Sequence, residues 1–124
     1  MHTRILIVDD NALVRGLVRA SLESRNGLEV CGEASDGMEG VEKGLALRPD
    51  LIILDFAMPR INGLQAALMF RAIAPETPII LLTMFKDVIL ARLAGNAGVS
   101  SIISKTDQLT VLADEVQRLT CSPN

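Results

Sequence analysis

The stretch "LIILDFAMPRING", residues 51–63, decides the fold. Four consecutive apolar residues, Leu51 to Leu54, run into a single carboxylate, Asp55. An apolar run without polar alternation reads as a strand buried on both faces, the kind found in parallel sheets covered by helices on each side. Helical spacing follows at Leu64, Leu68 and Ala72, and Pro75 and Pro78 close it.

The rest of the chain repeats this unit. Ile5 to Val8 is a first buried strand, and Leu13, Leu17 with Val14, Val18, Leu22 make a helix face that ends at Asn26-Gly27. Leu28, Val30, Gly32 and Ala34 alternate with Glu29, Cys31 and Glu33, which predicts a half-exposed edge strand. Met38, Val41 and Leu45 form a second helix, stopped before Pro49. Ile79 to Leu82 is a fourth strand. Ile89, Leu93 and Ala97 give a fourth helix, and Ile102-Ile103 a short fifth strand. Leu109, Leu112, Val116 and Leu119 repeat at helical spacing, with Thr106 or Asp107 as the expected N-cap. Five alternations of strand and helix imply an α/β fold: a parallel sheet, right-handed crossovers and helices on both faces. The expected organisation is one domain over residues 1–119, with a polar tail or the start of a linker over 120–124.

Composition narrows the function. The chain has 124 residues, 49% of them hydrophobic, and a formal charge of −3 from 12 basic and 15 acidic side chains. No basic cluster or aromatic platform is present, which argues against direct nucleic-acid binding. No apolar run approaches the ~20 residues of a membrane span, and the N-terminus enters a strand without a signal peptide. Cys31 and Cys121, far apart in sequence, read as reduced thiols, which fits a cytoplasmic protein. Met38 and Met69 are expected as core fillers, His2 as a terminal residue without a ligand role, and Arg15 and Arg19 as the solvated face of the first helix.

In an open α/β sheet, ligands bind outside the carboxyl ends of the strands. The residues at those ends are Asp9 and Asp10, Asp55, Thr83 and Lys105. Each has an ordinary structural reading: a helix N-cap, a loop acid, a local cap, a surface lysine. Together they form a chemical set. Three gathered carboxylates repel one another unless one takes a proton or a cation joins them, and oxygen-only ligands suit Mg²⁺. Three carboxylates, one Mg²⁺ and Lys105 sum to about zero formal charge. A phosphoryl group arriving at one carboxylate would then meet an ion, an ammonium and the Thr83 hydroxyl, which is what phosphoryl transfer requires.

The segments "ILIVDDN" (5–11), "LIILDFAMPRING" (51–63), "PIILLT" (78–83) and "SSIISK" (100–105) resemble the receiver domain of two-component response regulators, and the resemblance covers almost the whole chain. It implies a flavodoxin-like sheet of order 2-1-3-4-5. Asp55 would be the phosphoacceptor, supplied by a sensor histidine kinase or a phosphotransfer protein. Asp10 would bind Mg²⁺ directly and Asp9 through water, with Asp55 and the backbone carbonyl of Ala57 completing the protein ligands. Thr83 and Lys105 would contact the phosphoryl oxygens, while Pro59 and Gly63 shape the loop after strand three. The implied output is a changed surface on helix four, strand five and helix five, which would control an output domain C-terminal to the chain, a partner or a homodimer. Transcription regulation is one such output. The only catalysis implied is the chain's own phosphorylation and dephosphorylation.

Three positions depart from the family pattern. Ile102 stands where an aromatic switch residue is frequent, Met84 where a small residue is usual, and Thr106 where proline often follows the lysine. A non-proline cis bond costs roughly 2.5–4 kcal/mol, so the Lys105–Thr106 bond is expected to be trans. Met84 and Ile102 also keep open an alternative, a degenerate receiver acting only as a protein-interaction module. A metal-dependent phosphatase would want an acid two residues beyond Asp55, where Ala57 stands. A nucleotide or flavin binder would want glycines where Asp9-Asp10-Asn11-Ala12 stands.

Overall fold

A computed structural model describes residues 2–121. The elements are β1 (Thr3–Val8), α1 (Ala12–Glu23), β2 (Leu28–Ala34), α2 (Gly37–Leu47), β3 (Leu51–Asp55), α3 (Gly63–Ile73), β4 (Ile79–Thr83), α4 (Val88–Asn96), β5 (Ser101–Ser104) and α5 (Leu109–Thr120). All strand pairs are parallel and the sheet order is β2-β1-β3-β4-β5, with β2 at one edge as its alternation predicts. This is the flavodoxin-like arrangement.

Two cores flank the sheet because successive strand residues point to opposite faces. Leu6, Val8, Ile52, Leu54, Ile79 and Leu81 pack under α2, α3 and α4. Ile5, Ile7, Leu51, Ile53, Ile80 and Leu82 pack under α1 and α5. The unbroken apolar runs of β1, β3 and β4 are therefore buried on both sides.

The helices reach the sheet on smaller residues than periodicity of large side chains suggests. Val18 and Leu22 are buried as expected, but Leu13 is 72% exposed and Leu17 is also exposed. Met38 is 45% exposed, so it is no core filler, whereas Met69 packs partly buried against the core. Leu45, Leu68, Ala72, Ile89 and Leu93 are exposed too. The buried residues are Gly37, Gly40, Gly44 and, as expected, Val41 in α2, Gly63, Ala66, Ala67 and Phe70 in α3, and Leu90 and Ala94 in α4. Close approach explains the choice. A Cβ on Gly40 would lie 2.8 Å from Val8, and one on Gly44 2.8 Å from the Phe70 ring.

Two further expectations are corrected. Gln108, not Thr106 or Asp107, occupies the N-cap of α5, and it makes no side-chain cap bond. Thr106 instead pairs its hydroxyl with Ser104 Oγ at 2.7 Å, which holds it in the turn before the helix. Arg15 and Arg19 are not a solvated face; both guanidiniums bind Glu33 of β2.

That contact follows from a bulge in β2. Ile5 pairs with Val30 but Leu6 pairs with Gly32, so Cys31 is an extra residue in the ladder. The bulge reverses the face of everything after it. Leu28 and Val30 pack on the α1/α5 side while Ala34 packs on the other. Glu33, in register with Ile7, is thereby turned toward α1.

No cis peptide occurs among the described residues, as expected for Lys105–Thr106, and no disulfide joins Cys31 to Cys121. No described helix is long and apolar enough to cross a membrane. Of the expected tail, Thr120 closes α5 and residues 122–124 lie outside the described part.

Candidate phosphoryl and cation site

The sheet order reverses between β1 and β3, creating a crevice at their carboxyl ends. Ile7 pairs with Ile53 and Val8 with Leu54, so the register carries Asp9 alongside Asp55. One carboxylate oxygen from each of Asp9, Asp10 and Asp55 lies within 4.8 Å of the others. Asp9 and Asp55 are buried and Asp10 is exposed at the mouth.

β5 delivers the counter-charge. Lys105 N–H donates to the Thr83 carbonyl at 2.8 Å, which anchors the residue at the strand end. Its Nζ sits 3.0 Å from Asp9 Oδ2 and 3.0 Å from Asp55 Oδ1, and its side chain is 17% exposed. Burial, opposed by the Lys105 hydrogen bond and aided by the neighbouring charge of Asp9, pushes the Asp55 carboxyl up to about 6. Burial alone would lower the Lys105 ammonium, but its close contacts with the Asp55 and Asp9 carboxylates outweigh it and the ammonium is held above its ordinary value.

The donor set fits a hard divalent cation. The three candidate ligand atoms are all carboxylate oxygens, and Asp9 Oδ2 is buried with no hydrogen-bond partner, only the charge contact to Lys105. Asp9 Oδ1 accepts from the Asn11 N–H at 2.9 Å, so the carboxylate is held by the loop on one side and faces the Lys105 ammonium on the other.

Other expected residues fall around this centre. The Ala57 N–H points to Asp55 Oδ1 at 3.4 Å, and Ala57 and Pro59 are exposed on the β3–α3 loop. The Thr83 hydroxyl is buried and engaged locally: it accepts from the Phe85 N–H and donates to the Phe85 carbonyl, both at 3.2 Å. Met84 is 53% exposed on the loop after β4. Ile102 is half-buried against the α2/α3/α4 core.

Gly63 keeps the geometry of Asp55. Its N–H donates to the Phe56 carbonyl at 2.8 Å, and Asn62 and Gln65 close a capping box that starts α3 at this point. A Cβ on Gly63 would lie 2.6 Å from the Asp55 carbonyl oxygen and 2.8 Å from Leu81 and from Phe56 Cα. Two of these neighbours are backbone and cannot rotate away. Gly63→Ala is expected to destabilise the protein by roughly 1–3 kcal/mol, read as a lower urea midpoint, and to shift the Asp55 amide resonance.

Sequence reading missed Arg15 and Glu33. The usable signal was the pair Arg15 and Arg19, four residues apart on one helix and opposite the last acid of an edge strand.

The response regulator receiver domain family matches residues 5–117, and the chain belongs to that family. A protein-glutamate methylesterase/protein-glutamine glutaminase of Geobacter sulfurreducens is 46% identical over 81 residues, 65% of this chain and 22% of that protein. The response regulator protein VraR of Staphylococcus aureus is 33% identical over 118 residues, 95% of this chain and 56% of VraR. A LuxR-family two-component response regulator from Aurantimonas has a solved structure with TM-score 0.92 and 28% identity, covering 96% of this chain and 85% of that one. The chain thus spans about a fifth of the first relative and just over half of the second. Its family places it in two-component signalling, and the methylesterase match falls within that enzyme's receiver part.

Proposed function

We propose that this chain is a phosphorylation-driven switch in which Asp55 accepts a phosphoryl group from a sensor histidine kinase or a phosphotransfer protein. The observation that carries the reading is the convergence of Asp9, Asp10, Asp55 and Lys105 in one crevice at the sheet's switch point. Asp10, Asp55 and the carbonyl of Ala57 would hold Mg²⁺, with Asp9 acting through water. When bound, the ion would neutralise charge on the phosphoryl oxygens. An Asp55 carboxylate oxygen attacks phosphorus, the bond to the donor breaks, and the donor leaves with that electron pair. Lys105 offers an ammonium to the new group, and Thr83 would exchange its bonds with Phe85 for one to a phosphoryl oxygen.

That exchange would release the Phe85 backbone and move the loop into α4. The resulting change on the α4, β5 and α5 surface would control an output domain, a partner or a second copy, with Met84 and Ile102 setting how far the loop moves. Domain limits of 1–119, a cytoplasmic site of action and transcription regulation as one output accompany this reading. The test is a small phosphodonor, or beryllofluoride, with Mg²⁺. One phosphoryl adduct on the intact protein, lost in Asp55→Asn, and amide shifts at Thr83 and Lys105 are expected. No adduct and no shifts would overturn the switch and leave an interaction module.

A further inference from the structure

We propose that Arg15 is a positioning residue of the cation site, holding the Asp9–Asp10 backbone through the Asp9 carbonyl while Glu33 orients the guanidinium and cancels its charge.

The geometry is specific. Asn11 caps α1 through bonds to the Leu13 and Val14 N–H groups, which sets the start of the helix. One turn inside, Arg15 reaches back, and its terminal nitrogen donates to the Asp9 carbonyl at 2.6 Å. Its Nε donates to Glu33 Oε1 at 3.0 Å. Glu33 Oε2 accepts from Arg19 Nε at 2.7 Å, and Arg19 also pairs with Glu23 at 3.6 Å. The Lys43 ammonium donates to the Glu33 carbonyl, fixing the strand beneath. Helix, acidic loop and edge strand are thus tied at one half-buried guanidinium, its side chain 17% exposed.

Asp9 is held at both ends. Its carboxylate accepts from Asn11 and its carbonyl accepts from Arg15. The peptide unit between these bonds carries Asp10, whose own carboxylate is exposed. Fixing that peptide reduces the ordering that a cation must impose on Asp10.

A guanidinium so near a cation site would ordinarily repel the ion. Here Arg15 and Arg19 face Glu33 and Glu23, two positive charges against two negative. The Glu33 carboxyl is held below its usual range, first by the Arg19 hydrogen bond and also by Arg15, so it stays ionised as the partner. Arg15 can therefore act as a hydrogen-bond donor at little electrostatic penalty.

The inference rests on the reading of Asp9, Asp10 and Asp55 as the Mg²⁺ site, and charge and positioning give it opposite signs to separate. Mg²⁺ is titrated into wild type, Arg15→Met and Arg15→Lys, followed by calorimetry and by the amide shifts of Asp10 and Asn11. Met keeps the apolar stem and helix propensity but has no donor; Lys keeps a donor and the charge. Positioning predicts roughly 10-fold weaker Mg²⁺ binding in Arg15→Met and a partial recovery in Arg15→Lys. A charge effect alone predicts the reverse order, with Arg15→Met binding tighter than both. That order, or equal affinities, overturns the proposal. Hydrogen exchange at the Asn11 amide of the metal-free proteins gives an independent readout, expected to quicken in Arg15→Met. Absent Mg²⁺ uptake by wild type, the reading of the site fails, and unchanged Asn11 exchange in Arg15→Met would refute the role of Arg15 separately.

Discussion

Asp55→Asn is expected to make the metal-free protein more stable at pH 7 while abolishing phosphoryl uptake. The unfolded carboxyl releases its proton near 3.8, whereas burial in the folded chain pushes Asp55 up to about 6. Between those values the folded state retains a proton that the unfolded state has released. Stability then falls as pH rises through that window and levels off above it. The ionised, buried Asp55 costs on the order of 3 kcal/mol at neutral pH. Asparagine keeps the shape and does not titrate. Thermal midpoints in EDTA should therefore diverge between pH 4 and pH 7, with the variant higher at pH 7 and the two proteins matched at low pH. Added Mg²⁺ should raise the wild-type midpoint by mass action and the variant's much less. A variant midpoint at or below wild type at pH 7 would show that burial of this carboxylate carries no such cost.

A buried carboxylate that destabilises its own fold needs a rigid mount, and the mount is the legible part of this chain. Leu51 to Leu54 carry no polar residue, so periodicity alone identifies a strand buried on both faces and puts Asp55 at its end. The same logic places Asp9 and Thr83, which follow apolar runs directly, and Lys105, one residue beyond Ile102-Ile103-Ser104, because all such ends share one edge of a parallel sheet. The edge position of β2 follows from its alternation. Less legible was how helices meet the sheet. Large apolar residues mark a helix, but Gly40, Gly44, Ala66, Ala67 and Ala94 mark the buried faces, where Gly40 meets Val8 of β1 and Gly44 meets Phe70 of α3 and a Cβ would come too close. A reading weighted by side-chain size picks Leu13, Met38, Leu68 and Ile89 instead, and all four are exposed.

The bulge at Cys31 was hidden for a different reason. Period-two alternation continues unbroken through Leu28 to Ala34, and nothing in residue type reports that one residue is skipped in the ladder. That single step turns Glu33 toward α1 and converts Arg15 and Arg19 from an expected solvated face into a network reaching the Asp9 carbonyl. The Thr83 hydroxyl is hidden likewise. Its position at a strand end is legible, but its local closure onto Phe85 depends on the path of the following loop.

Lys105→Met should do the opposite of Asp55→Asn. The ammonium bridges Asp9 Oδ2 and Asp55 Oδ1 at 3.0 Å each, and both carboxylates are buried. Breaking a buried charge contact by removing one partner costs up to roughly 3–5 kcal/mol, because the remaining charges are uncompensated. Protonation of Asp55 caps that cost. With Lys105 present its carboxyl already titrates at about 6, and losing the ammonium lifts it further, so the variant can neutralise Asp55 near pH 7. The expected loss in EDTA is therefore about 1–3 kcal/mol at pH 7 and smaller at pH 5, where the proton is already taken up. Mg²⁺ should behave in the contrary sense. Lys105 occupies two of the oxygens that a cation would use, so its removal ends that competition, and Mg²⁺ should raise the midpoint of Lys105→Met by more than that of wild type. Phosphoryl uptake should still fall, because the ammonium proposed to meet the incoming oxygens is gone. Equal Mg²⁺-induced shifts in the two proteins would mean that Lys105 and the cation do not compete for these carboxylates.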